Sequence, residues 1–251
     1  MTTMTNPDPA TKRPRPHAAV CFWGCLHRSI NQTHEGIRKH LMGPLRESGF
    51  IVDVYAHGFC IKETTHLAED AVRVLGCRAA VLEIETDAAT ATATATQDDA
   101  TTFDTALLLE LYSLERVTQL WSGATRTETG GKYDVILYAR PDAVPCTPLS
   151  SACITRVLSE SYAGRAMAMV SAFVNCGGIN DTFVLATPSA AWVWGTRWRA
   201  APKHAHGAPL RAETFLKHVL RNAGVRVESI PLRLVHFRAD GSPRLDDFFV
   251  L

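Results

Sequence analysis

Three places in this chain set a glycine, an arginine or a carboxylate directly after an apolar run, where such side chains could meet a ligand. Gly24-Cys25-Leu26-His27-Arg28 follows AAVCFW. A glycine there lets backbone N–H groups approach a phosphate, and Arg28 could clamp one with two donors. Its other reading is an ordinary turn with a surface arginine. Arg140-Pro141-Asp142 follows YDVILYA. Charged groups at the end of a buried strand are costly unless solvated or used. Asp142 could hold a divalent cation that bridges a diphosphate, with Arg140 offsetting leaving-group charge. Alternatively Arg140 and Asp142 pair with each other across Pro141. Gly177-Gly178-Ile179-Asn180-Asp181 follows AMAMVSAFV. Its glycines permit close approach of a ligand, and Asn180 and Asp181 are groups that hydrogen-bond carbohydrate. A glycine turn capped by Asp181 is the competing reading.

A fourth set is more dispersed. His57 follows IVDVYA and Glu213 opens a helical stretch, so each is a base, a ligand, or simply a hydrogen-bonded or helix-dipole residue. Cys25 with His27, and His57 with Cys60, are imaginable halves of a zinc site, but neither follows a knuckle turn. His204 and His206 read as surface residues. Trp192, Trp194 and Trp198 could stack a sugar or base, although the spacing of Trp194 and Trp198 suits helical packing.

The elements that must position these groups alternate. Ala18–Trp23, Ile51–Ala56, Ala79–Ile84, Tyr133–Ala139 and Ala166–Val174 read as buried strands, with shorter ones at 183–186, 225–230 and 232–237. Between them Ile37, Leu41 and Leu45 recur at four-residue spacing, weakened by Pro44 and stopped by Gly49. A helix is predicted over 63–75. The strongest stripe is Phe103, Leu107, Leu111, Leu114, Val117 and Trp121. Further helices are predicted over 149–161, 189–198 and 211–223. Thr86 to Thr102 has no large apolar residue and reads as a surface loop of low complexity. Residues 1–17 read as a disordered tail, and 18–251 as one α/β domain. The alternation, without a repeat, predicts a mostly parallel central sheet with helices on both faces. In such sheets ligands sit beyond the carboxyl ends of strands.

Lys and Arg number 26 against 25 Asp and Glu, a net charge of +1. That balance argues against nucleic acid as a partner, since phosphate neutralisation needs a basic excess. Hydrophobic residues make up 46% of the chain, enough for a full core. The longest apolar stretches fall short of the ~20 residues of a membrane span, and no signal-like segment is visible, so a cytoplasmic location is expected. Seven cysteines at irregular spacing are expected to be reduced. No G-x-G-x-x-G or G-x-S-x-G stretch marks a dinucleotide enzyme or an α/β hydrolase.

The order of segments resembles a poorly characterised glycosyltransferase-like group of the GT-A type. The resemblance lies in AVCFWGCLHRSINQTHEGIRKHLMGPLRESGFIVDVYAHGF, YDVILYARPDAVPCTPL, GGINDTFVLATPSAAWVW and AETFLKHVLRNAGVRVESIPLRLVHFRADG. It covers most of the chain outside the tail and the threonine-rich loop; Arg140-Pro141-Asp142 and 177–183 are its more specific parts. It implies a GT-A or Rossmann-like sandwich that transfers a sugar from a nucleotide-sugar donor to a hydroxyl acceptor. In that group the R-P-D segment stands where many enzymes carry Asp-x-Asp, so Arg140 replaces the first acid. Asn180-Asp181 is often followed there by Arg; Thr182 stands here. The implied roles are Asp181 as base, with Gly24, Arg28, Arg140, Asp142, Gly178 and Asn180 binding the nucleotide sugar. Asp142 would also hold Mn or Mg, the implied cofactor. The alternative is a catalytically degenerate GT-A-like module that binds a sugar nucleotide or a protein.

Overall fold

The structure, a computed structural model, describes residues 14–27, 29–85, 105–124, 133–173, 175–204, 210–238 and 240–244. The threonine-rich loop, the tail before residue 14 and Arg28 lie outside them. His17–Gly24 forms β1, buried along nearly its whole length. A helical segment follows as α1 (Ile30–Ile37), a π-helical turn (Arg38–Met42) and α2 (Gly43–Glu47), with Pro44 near the start of α2. Then come β2 (Ile51–Cys60), α3 (Thr65–Leu75), β3 (Ala79–Ile84) and the long α4 (Thr105–Gly123). β4 (Val135–Ala139), β5 (Ala143–Pro145), α5 (Ser151–Tyr162) and β6 (Met167–Ser171) lead to β7 (Phe183–Ala186). The chain continues through α6 (Pro188–Gly195), α7 (Ala201–His204), α8 (Ala212–Asn222), β8 (Arg226–Ile230) and β9 (Leu234–His236).

Seven strands form one sheet in the order β3-β2-β1-β4-β7-β6-β8. Its neighbours run parallel except β7, which is antiparallel to both β4 and β6. The expected mostly parallel sheet is therefore borne out, with β4 in its interior. The apolar runs are continuous because both faces are covered. Val20, Phe22, Leu137, Leu185 and Met169 meet Ile37, Leu41, Leu45, Leu75, Ile154 and Val157 on one side. Alternate residues, Ala19, Cys21, Tyr138, Val184 and Val170, meet Leu114, Val117, Trp121, Trp194, Leu216 and Leu220 on the other.

Two details depart from the expected elements. β2 runs four residues past Ala56, because its pairing with β1 continues to Gly24↔Gly58 and with β3 to Cys60↔Ile84. His57 is thus a strand residue with no exposed surface, not a rim residue. The second departure is that 232–237 does not extend the main sheet. β9 pairs with β5 in a separate two-stranded ribbon, Ala143↔His236 to Pro145↔Leu234. A segment flanked by Pro141 and Pro145 carries turn chemistry, and only the distant partner makes it a strand.

Candidate functional site

The rim that carries the expected residues is built by strand direction. β1 and β4 end there, and antiparallel β7 begins there, so Arg140 N–H donates to the Thr182 carbonyl at 3.1 Å. A cleft of about 370 Å³ opens at this rim. Gly24, Cys25, Arg140 and Asp142 line it, joined by Glu110 from α4 and Arg238 from the turn after β9. Gly24 has φ 92°, a conformation open to glycine at little cost, and it turns the chain out of β1 into the cleft wall.

Arg140-Pro141-Asp142 is held from three sides. Thr33 Oγ1 of α1 donates to the Pro141 carbonyl at 2.7 Å, and Phe237 N–H donates to the Asp142 carbonyl at 2.8 Å. Within the segment Arg140 Nε and Nη2 donate to Asp142 Oδ1 and Oδ2, each at 3.0 Å. Its Nη1 donates to Glu110. Burial opposes the Arg140 charge, but Asp142 and Glu110 outweigh it and hold the guanidinium firmly protonated. Burial likewise pushes the Asp142 carboxyl up, and Arg140 more than reverses that, leaving it below the usual range. For Glu110 the order differs. Burial wins over Arg140, with Asp181 and Asp142 adding like charge, and its carboxyl sits above the usual value.

The expected metal role of Asp142 meets this geometry directly. Both its oxygens accept from one guanidinium, so a divalent ion would have to displace Arg140. No cluster of three or more His, Cys, Asp or Glu able to hold a metal occurs among the described residues. The residues present do not fit a cation held at Asp142.

The 175–181 loop divides its expected residues. Asp181 is half-buried beside the rim, within electrostatic reach of Glu110 and Arg140. No hydrogen bond or ion pair engages its carboxylate among the described residues. Asn180 is 3% exposed, and its amide serves the loop: Nδ2 donates to the Phe173 carbonyl at 3.0 Å, and Oδ1 accepts from Thr182 N–H and hydroxyl. Gly178 packs against α8, since a Cβ there would lie 2.1 Å from the Glu213 carbonyl carbon. Asn180 and Gly178 therefore shape the loop that presents Asp181.

Of the dispersed candidates, Cys25 Sγ lies 3.7 Å from His27 Nδ1, while Cys60 faces Thr65 and the Glu83 carbonyl. Trp194 is core, Trp198 packs at the edge of a small cluster, and Trp192 is exposed. Sequence reasoning missed Glu110 and Arg238. Glu110 sat inside an apolar helical stripe, and Arg238 lay within a long terminal segment with no marked spacing. Only their position against β4 and β9 gives them meaning.

No family model matches the chain, and no curated protein matches it. Solved structures do. Mouse xyloside xylosyltransferase 1 is similar at 10% identity over 86% of this chain and 85% of that one, TM-score 0.44. Core-mannan synthase A of Aspergillus fumigatus, solved with Mn and GDP, is similar at 6% identity over 93% and 78%, TM-score 0.45. The glycosyltransferase GlyE of Streptococcus pneumoniae is similar at 11% identity over 86% of this chain and 45% of that one, TM-score 0.43. These are likenesses of arrangement, and the cleft itself carries the functional reading.

Proposed function

We propose that this chain transfers a sugar from a nucleoside-diphosphate sugar to a hydroxyl acceptor in the cleft at the ends of β1 and β4. The observation that carries the reading is a cleft at the strand ends where the exposed Arg238 joins the Gly24 turn and the Arg140–Asp142–Glu110 cluster, with the Asp181 carboxylate beside the rim within electrostatic reach of Arg140 and Glu110. The acceptor oxygen forms a bond to the anomeric carbon as that carbon's bond to the diphosphate oxygen breaks. The electron pair leaves with the diphosphate, and the acceptor proton passes to Asp181. The departing charge needs a cation that is not already neutralised. Arg140 is held by two carboxylates, whereas the Arg238 guanidinium is exposed on the cleft and, among the described residues, makes no side-chain hydrogen bond or ion pair, with Asp240 nearby only as a charge. Arg238 therefore takes the diphosphate. Arg140 sets the wall. No step needs a cation at Asp142.

A second reading, sugar-nucleotide binding without turnover, is favoured by one observation: Asp142 is closed by Arg140. The test is calorimetric titration of UDP, GDP and their sugar conjugates, each with Mn²⁺ or with EDTA. Transfer predicts binding that does not depend on Mn²⁺, plus slow hydrolysis or transfer that Asp181→Asn removes. A ligand at ~100 times its Kd also raises stability by ~2.7 kcal/mol. Binding with no turnover for any donor selects the second reading. Absence of binding by every nucleotide overturns both.

A further inference from the structure

His57 and Ser113 lie one layer behind the cleft and are not among the residues that line it. Both are fully buried polar side chains among apolar neighbours, an arrangement that persists only when each group has a partner. Ser113 Oγ, on α4, accepts the Gly24 N–H at 2.9 Å. The same oxygen lies 2.8 Å from His57 Nδ1 and 3.2 Å from the His57 carbonyl. The other ring nitrogen, Nε2, faces Glu83 Oε1 of β3 at 3.2 Å, off the hydrogen-bonding angle. Glu83 is itself fixed by the Tyr112 hydroxyl at 3.1 Å and by Arg116 Nε at 3.2 Å.

One tautomer satisfies this line. A proton on Nε2 presents a positive edge to the carboxylate, and the Ser113 O–H is then shared between the bare Nδ1 and the His57 carbonyl, both of which accept. The Ser113 oxygen is thereby turned toward Gly24 as acceptor. With a proton on Nδ1 instead, a lone pair would face Glu83. The ring is also wedged edge-on to Phe59 at 5.3 Å and to Tyr112 at 5.9 Å between centroids, so it has little freedom to turn. On the far side of the turn, Gly58 admits Leu26: a Cβ at Gly58 would lie 2.6 Å from Leu26 Cγ. The Gly24 turn is thus held from below by Leu26 and from behind by Ser113.

We propose that His57 and Ser113 are positioning residues, which set the Gly24–Cys25 turn that walls the cleft and so govern its affinity for the donor nucleotide. The affinity part rests on the reading of the cleft as a nucleotide-sugar site; the positioning part does not. Asn places a hydrogen-bonding group where Nδ1 stands, whereas Gln places one where Nε2 stands. The experiment compares Ser113→Ala, His57→Asn and His57→Gln with the unaltered chain. Amide hydrogen exchange is followed in the peptide spanning the turn, and Kd is measured for UDP and for GDP.

Ser113→Ala and His57→Gln are expected to speed exchange of the turn peptide at least tenfold, while the peptides of β4 and α8 keep their rates. The Kd of the bound nucleotide should rise at least tenfold in the same two variants, and His57→Asn should restore both readouts to within threefold. Equal exchange in all three variants and the unaltered chain overturns the proposal, as does equal loss in His57→Asn and His57→Gln. Faster exchange with unchanged Kd overturns the affinity part. If the unaltered chain binds neither nucleotide, the reading of the cleft fails, and the exchange rates alone decide whether the turn is positioned in this way.

Discussion

Acidification should destabilise this fold through His57, and the size of the effect follows from its burial. The ring has no exposed surface, and burial pushes its pKa from 6.5 down to about 4, against an upward pull from Glu83. The unfolded chain therefore binds a proton at His57 across a range where the folded chain does not. Stability rises with pH wherever the unfolded state holds more protons. The contribution is fully present above pH 6.5, is lost as pH falls toward 4, and levels off below. The full span is about 3 kcal/mol, of which about 2 kcal/mol falls between pH 7 and pH 5. That window also stops above the range in which carboxylates titrate in the unfolded chain. The assay is urea unfolding of the unaltered chain and of His57→Asn at both pH values. The variant starts lower, because it leaves Glu83 with one partner fewer, but its loss on going to pH 5 should be smaller by about 2 kcal/mol. Parallel losses in the two proteins would refute the reasoning: the histidine would then be reached by solvent, or would protonate in place beside Glu83.

Four other outcomes are expected. Asp181→Asn should abolish turnover and leave the Kd of the donor nucleotide within about twofold, since a base acts on the acceptor proton; weakened donor binding measured by calorimetry would move Asp181 into the donor site. Arg238→Ala should weaken nucleotide binding by roughly tenfold with stability unchanged within about 0.5 kcal/mol, as expected of an exposed cation on a cleft. Asp142→Asn should lower unfolding free energy by about 1–2 kcal/mol, because it removes one of two carboxylates from a half-buried guanidinium; denaturant titration that shows no change would mean Arg140 is solvated. Gly178→Ala should cost about 2–3 kcal/mol and displace the loop from α8, because the added methyl meets Glu213 backbone, and thermal unfolding measures it.

Much of the layered fold was legible because both faces of the sheet are covered. β1, β4 and β6 then read as continuous apolar runs, and the stripe of Leu107, Leu111, Leu114, Val117 and Trp121 reads as a helix facing the sheet. The stretches that follow the strands were legible too, since glycine, proline and charge stand out against apolar sequence. Local sequence could not show the direction of β7, which is set by its neighbours and brings Asp181 to the rim where Arg140 ends β4. Nor could it show β5, a strand only because β9 returns to pair with it and carries Arg238 to the cleft. The choice between Arg140 and Asp142 as ligand groups or as partners stayed open in the sequence, because R-P-D permits either. Tertiary structure supplied the partners: α4 places Glu110 against the same guanidinium that Asp142 holds, and a charge paired with two carboxylates has less to offer an incoming anion. The type of residue at each rim position is a property of the sequence, while its partner, and hence its remaining chemistry, depends on which distant element folds against it.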